Sequence, residues 1–257
     1  MAIDLSKMRA KLDALQNKDS GDNKFWRPSD GEQAIRIVPT EDGDPFREFH
    51  FHYNVGQNRG FLCPKRNFGD DCPVCEFASQ LWKEGAANDD NEAKKMAKGL
   101  FARQRFFSPV LVRGEEDQGV RAWGYGKMAY ESLLGLVLNP EYGDITDPET
   151  GTDLVLTYGK PSGASFPQTK LTPRRRSSPL CDEAVGGDER CAELLDNIPD
   201  FDGLFERKTT GEVSAMLDEY LSGDQSAETS SNETEKYTAT TTTTDPVDAA
   251  FDELMGA

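Results

Sequence analysis

Residues 50–75 read HFHYNVGQNRGFLCPKRNFGDDCPVC, and this stretch decides how the rest of the chain is understood. It holds His50, Cys63, Cys72 and Cys75, which are three of the five cysteines and one of the two histidines, within 26 residues. Two thiolates two residues apart can turn back on one ion, and a third Cys with a His completes the tetrahedron that zinc prefers. His52 is a rival ligand, because on a strand it and His50 point to the same face. A Cys3His set leaves no open coordination position, so the expected Zn2+ is a single structural ion that performs no chemistry.

Outward from this cluster the chain is acidic, with a net charge of -17 over 257 residues, and that balance argues at first against a nucleic-acid partner. The distribution of charge argues the other way. From Glu212 to Ala257 there are 11 acidic residues against one lysine, so this segment alone carries -10. The basic charge is gathered locally: Lys94, Lys95 and Lys98 lead to Arg103 and Arg105, and Arg174, Arg175 and Arg176 are adjacent. Concentrated cations on a net-acidic protein can still present a positive groove. Hydrophobic content of 36% and a mean hydropathy of -0.66 are low for a chain that is globular throughout. There is no signal-peptide pattern and no apolar run long enough for a membrane span, and an odd number of cysteines suits a reducing compartment.

The apolar pattern gives a coarse map. Residues 1–20 form a basic amphipathic segment, too short to be stable alone and expected to order against a partner. Alternation predicts strands at 31–39, 48–53, 104–112, 120–125 and 153–158, and helices at 75–83, 91–101 and 130–138. Short strands with Gly- and Asp-rich turns fit a small barrel better than a layered α/β sheet. The expected organisation is mainly β with α: a core over 21–195 with a zinc-bearing subdomain at about 48–100, a helical extension at 196–222, and a disordered acidic tail at 223–257. Its last residues, with Phe251, Asp252, Glu253 and Leu254, read as an acidic amphipathic docking peptide.

Aromatic rings lie directly beside cations in Arg103-Gln-Arg-Phe106-Phe107 and in Trp123-Gly-Tyr125-Gly-Lys127, and Phe166 precedes the triple arginine. Cations track phosphates while flat rings stack on unpaired bases at roughly 1–3 kcal/mol per base. A duplex hides its base faces, so the mixture points to single strands. Strand alternation requires one of Phe106 and Phe107 to be core without saying which.

The combination resembles the single-stranded DNA-binding, helix-destabilising proteins of T-even-type tailed bacteriophages. The matching elements are Gly31-x3-Ile35-Arg36-Ile-Val-Pro39, the Cys-Pro-Val-Cys75 set with its upstream ligands, the basic segment leading into Phe106-Phe-Ser-Pro-Val-Leu-Val112, Tyr125-Gly-Lys127, the Gly151–Tyr158 stretch and the acidic C-terminal peptide. The spacing between Cys63 and Cys72 is one residue shorter than the family pattern, and the N-terminus lacks its compact basic cluster. The resemblance implies an OB-fold barrel beside a zinc subdomain, with DNA in the cleft between them. It also implies self-association along DNA through the N-terminal segment, an acidic tail that recruits replication, recombination and repair proteins, and location in the cytoplasm of the infected bacterial host.

Two other classes are open on the residues. Cys72-Pro-Val-Cys75 is compatible with a thiol–disulfide oxidoreductase, although an Asp-rich loop rather than a strand precedes it. A zinc-containing adaptor that binds only proteins would use the acidic tail alone. Neither a phosphate-binding Gly-rich loop nor a dinucleotide fingerprint is present, and the chain is expected not to be an enzyme. Cys181 and Cys191 read as ordinary reduced thiols.

Overall fold

In the computed structural model, which describes residues 24–164, 166–181 and 186–228, the chain forms one eight-stranded, mostly antiparallel sheet with short helices around it. The strands are β1 (Phe25–Trp26), β2 (Gly31–Ile37), β3 (Arg47–Val55), β4 (Asn58–Leu62), β5 (Arg103–Val112), β6 (Arg121–Tyr125), β7 (Leu154–Gly159) and β8 (Gln168–Pro173). The helices are α1 (Pro64–Phe68), α2 (Pro73–Ala87), α3 (Asn91–Leu100), α4 (Lys127–Val137), α5 (Gly187–Asp196) and α6 (Thr210–Glu228). The 1–20 segment and the peptide bearing Phe251, Asp252, Glu253 and Leu254 lie outside the described residues.

Strand order is β1-β6-β5-β2-β7-β8, with β3 joined to β5 and β4 to β3. Strand β5 serves two partners along one edge. Its first half pairs with β3, from Arg103 opposite Phe51 to Phe107 opposite Arg47, and its last residues pair with β2, from Val110 opposite Ile37 to Val112 opposite Ile35. The expected strands at 31–39, 48–53, 104–112, 120–125 and 153–158 correspond to β2, β3, β5, β6 and β7. After β3 the chain forms a hairpin: β4 pairs with β3 across the turn at Gly56, whose φ of +63° favours glycine. Helix α5 and strand β8 carry too little apolar periodicity to have been read.

The sheet is covered on both sides. One face packs Ile35, Ile37, Phe106, Val110, Trp123 and Tyr125 against Ala129 and Leu133 of α4. The other packs Phe51, Tyr53, Phe107 and Ala122 against Phe201, Leu204 and Phe205 from the irregular segment before α6. A third cluster holds the metal loop, with Cys63, Cys72, Val74, Ala78 and Leu100 packed against Val213 and Leu217 of α6.

Two interactions close the β2–β7 end. Arg36, fully buried, donates to Asp153 Oδ1 at 2.9 Å and to the carbonyls of Asp147, Gly151 and Ser178. Arg113 forks onto the same carboxylate and onto the carbonyls of Pro179 and Leu180, so one buried Asp binds strand ends to the 174–180 segment. Further on, Cys181 and Cys191 form a disulfide with Cα atoms 5.6 Å apart, contrary to their reading as reduced thiols. Leu180 and Leu194, both buried in one cluster with Val38 and Leu111, bring the two cysteines together, and nothing in the spacing signals that packing.

Removing one partner of a buried ion pair strands the other charge in low dielectric, at a cost of about 3–5 kcal/mol. Asp153→Ala is therefore expected to lower the unfolding free energy by about that amount, read as the shift in urea midpoint at unchanged m-value.

Candidate metal centre and nucleic-acid interface

Local chain logic places each metal donor. Strand β3 carries His52 to the hairpin that returns through β4 into Cys63. Cys63 is the N-cap of α1, its sulfur accepting from Arg66 N at 3.4 Å, with Pro64 in the first helical turn. Gly69, in the left-handed region at φ 79°, ends α1 and turns the chain to Cys72. Cys72 in turn is the N-cap of α2, followed by Pro73, and Cys75 lies in the first turn of that helix.

The donor atoms of His52, Cys63, Cys72 and Cys75 all lie within 4.8 Å of one another. Cys72 Sγ and Cys75 Sγ are 3.3 and 3.5 Å from His52 Nε2, and Cys63 Sγ is 3.5 Å from Cys75 Sγ. Ordinary zinc bond lengths at tetrahedral angles require edges of about 3.8 Å between sulfurs and about 3.5 Å between sulfur and nitrogen. These three edges lie within a few tenths of an ångström of those values. His52 Nδ1 lies 2.8 Å from the Leu100 carbonyl, an acceptor only, so Nδ1 carries a proton and Nε2 faces the thiols.

Electrostatics asks for a cation here. Bonds with Cys72 and then Cys75 drive the Cys63 thiol far below its ordinary value, while bonds with Cys63 and Cys72 drive Cys75 far above. Burial opposes charge on His52, but the bonds to Cys63 and Cys72 outweigh it and lift the imidazole to about 9. Three thiols this close cannot all ionise without a positive centre among them. The set fits zinc, with all four positions filled by protein and none left for substrate.

The assignment of His50 is corrected. Its ring faces Glu48, with Nε2 3.6 Å from Oε1, and takes no part in the cluster. Residues two apart on a strand share a face but lie about 6.6 Å apart along it, and here only the His52 ring reaches the three thiols. What His50 contributes is backbone: its N–H donates to Asn67 Oδ1 at 2.9 Å, and its carbonyl accepts from Asn67 Nδ2 at 2.7 Å and from Cys63 N at 2.8 Å. These bonds fasten α1 to β3 and aim Cys63 at His52.

The expected nucleic-acid residues divide. Phe106, Phe107, Trp123 and Tyr125 are buried, so the reading of these rings as stacking platforms is corrected. Both faces of β5 and β6 are covered, one by Tyr130 of α4, stacked 3.9 Å from Phe106, the other by Phe205, 5.2 Å from Phe107. The Tyr125 hydroxyl is 2.7 Å from Ser108 Oγ, and burial pushes its phenol above the ordinary range.

The cations behave differently. Lys95 and Lys98 are exposed on α3, and Lys94 is half-buried against Asp89. Arg103 is exposed and donates to the Lys98 carbonyl at 3.3 Å, which places the start of β5 against the end of α3. Half-buried Arg105 follows, its Nη1 3.4 Å from where a side chain on Gly126 would begin, next to exposed Lys127. Lys98, Arg103, Arg105 and Lys127 therefore form one contiguous basic strip. A second group lies on the β7–β8 hairpin and its exit. Phe166 is exposed near the tip, Arg174 lies 3.9 Å from Asp153, and Arg175 and Arg176 are exposed. Helix α4, which begins at Lys127, packs against β8.

Sequence reasoning missed Trp82. It is exposed on α2, and Lys98 Nζ lies 5.6 Å from its ring, which puts an open aromatic face at the end of the basic strip. The signal in the sequence was a Trp among Gln80, Lys83 and Glu84 on a helix whose buried positions are Val74, Ala78 and Gly85.

A family model described as gp32 DNA binding protein like matches residues 29–218. No curated protein sequence matches the chain. Among the described residues no helix is long and apolar enough to cross a membrane.

The metal geometry separates the two histidines experimentally. His52→Ala and Cys72→Ser are expected to abolish stoichiometric zinc, measured by metal analysis of purified protein, while His50→Ala retains one ion per chain.

Proposed function

The chain belongs to the gp32-like DNA-binding protein family, and from that premise we propose that it binds single-stranded DNA without sequence preference and carries out no reaction on it. The observation that carries this reading is the family match across residues 29–218, which spans both basic groups and the metal loop. The basic strip from Lys98 to Lys127 supports it as a phosphate track, with Lys94 and Lys95 beside it on α3 and Arg174, Arg175 and Arg176 as a second contact. Trp82, exposed beside Lys98, and Phe166, exposed near the tip of the β7–β8 hairpin, take the stacking role expected of the buried rings. The zinc ion, held by His52, Cys63, Cys72 and Cys75, supplies a crosslink that keeps α1, α2 and the β3–β4 hairpin in one arrangement.

The finer parts of the reading rest on the resemblance in the sequence. They are an OB-type barrel for the sheet, action in replication, recombination and repair in a phage-infected bacterial cytoplasm, contact between neighbouring copies through residues 1–20, and docking of replication proteins on Phe251, Asp252, Glu253 and Leu254.

Fluorescence titration with single- and double-stranded DNA of equal length at two salt concentrations tests the proposal. Single strands are expected to quench tryptophan emission and to bind far more tightly than duplex. The logarithm of affinity should fall linearly with the logarithm of salt, and Arg103→Ala should reduce that slope by about 0.7, one phosphate contact on a single strand. Trp82→Ala is expected to cost about 1–3 kcal/mol of binding with the slope unchanged. Equal affinity for duplex and single strand would overturn the reading.

A further inference from the structure

The segment from Arg207 to Leu221 docks on the metal loop itself, and we propose that metal occupancy and docking of this arm stabilise each other, so that the ion governs whether the acidic end of the chain stays fastened to the DNA-binding body. The inference rests on the reading of the four donors as a zinc site.

Three independent sets of contacts hold the arm, and each falls on or beside the loop between the ligands. Arg207 lies over the Phe68 ring, 4.3 Å from its centroid, and pairs with Asp70 at 2.5 Å. Thr210 Oγ1 donates to the Asp71 carbonyl at 3.0 Å, one residue before Cys72. Val213 and Leu217 are buried in the same apolar cluster as Cys63, Cys72 and Val74. At the tip of the β3–β4 hairpin, a side chain on Gly56 would begin 2.9 Å from Glu219 Oε2 and 3.0 Å from the Met216 carbonyl, so hairpin and helix are in direct contact.

The loop bearing these docking points is anchored to β3 through Asn67, but Phe68, Asp70 and Asp71 lie beyond that anchor, between it and Cys72. Between Cys63 and Cys72 lie only the five-residue α1 and a turn, in which Pro64 is buried and Lys65, Arg66, Phe68, Asp70 and Asp71 are exposed. With the ion in place, Cys63, Cys72 and Cys75 are fixed at one centre, and Phe68, Asp70 and the Asp71 carbonyl are set for the arm. Without it, nothing ties Cys63, Cys72 and Cys75 to one centre, and the docking points lose their register. Linkage then works in both directions: whatever the ion contributes to arm docking, the docked arm contributes to ion retention. The consequence is electrostatic. The arm leads into a segment that carries 11 acidic residues against one lysine from Glu212 onward, and it is fastened against α2, the helix that bears Trp82.

The test uses the full chain, with zinc content measured first. Trypsin cleavage after Arg207 and Lys208 is followed with and without a zinc chelator, with cleavage after exposed Lys170 as the control. Chelation is expected to accelerate the arm cuts at least about fivefold relative to the control. The reciprocal measurement is release of zinc to a chromogenic chelator. Leu217→Asp, loaded with one ion per chain, is expected to release it at least about fivefold faster than the unaltered chain. If Leu217→Asp proves insoluble, Arg207→Ala provides the same readout. Release at the unaltered rate from a variant holding one ion per chain overturns the coupling alone, whereas a chain that holds no zinc overturns the metal reading beneath it.

Discussion

The constraint on which the structure depends is that one edge of β5 must serve two partners. An edge offers each backbone group once, so the strand gives Arg103–Phe107 to β3 and Val110–Val112 to β2. Pro109 lies at the handover. Its carbonyl accepts from Val38 N at 2.9 Å as one half of a hydrogen-bonded pair whose return bond proline cannot supply, so the β2 ladder stops there. The split sends β3, β4 and the metal loop away on one side and β2, β7 and β8 on the other, while β6 spans the opposite edge of β5 from Phe106 to Val110.

The same split explains which parts of the fold were legible. Strands β2, β5 and β7 alternate or run apolar because they are central, and their periodicity is local information. Burial of both Phe106 and Phe107 is not local. Alternation sends one ring to each face, and only the covering elements, α4 on one side and residues 198–205 on the other, decide that neither face is open. Segment 198–205 has no regular secondary structure, so no period in the sequence announces its role as a lid on Phe51 and Phe107. The stacking role was therefore assigned to rings next to cations in sequence, whereas the exposed ring beside Lys98 is Trp82, sixteen residues away.

At the metal loop the residue types were legible and one choice between neighbours was not. Spacing identifies the three cysteines, because Cys63 and Cys72 each cap a helix that begins with proline, a turn chemistry written in adjacent residues. Choosing His52 over His50 requires knowing how far β3 runs before β4 returns, and that register is fixed by pairing of Phe51 with Leu62 and His52 with Phe61. The Leu100 carbonyl that orients the imidazole comes from the end of α3, 48 residues away. Both histidines satisfy the face rule, and only the register separates them.

A chain of net charge -17 can offer a phosphate track because screening makes net charge a poor guide to local potential. At physiological salt, exposed charges beyond about 8–10 Å are largely invisible to one another. Lys98, Arg103, Arg105 and Lys127 are joined by direct neighbour relations along α3, β5 and the start of α4, so a strand of phosphates meets them as a group. Much of the acidic charge is held elsewhere, in the cleft of Glu41, Asp42, Asp196, Asp200 and Asp202, or beyond Glu212 in the C-terminal segment. The cleft is bounded by Arg47 of β3 and by Leu195 and Asp196 of α5, and α6 packs against α2 beside the metal loop. The start of the acidic segment is tied to the metal loop by the contacts of Arg207, Thr210, Val213 and Leu217.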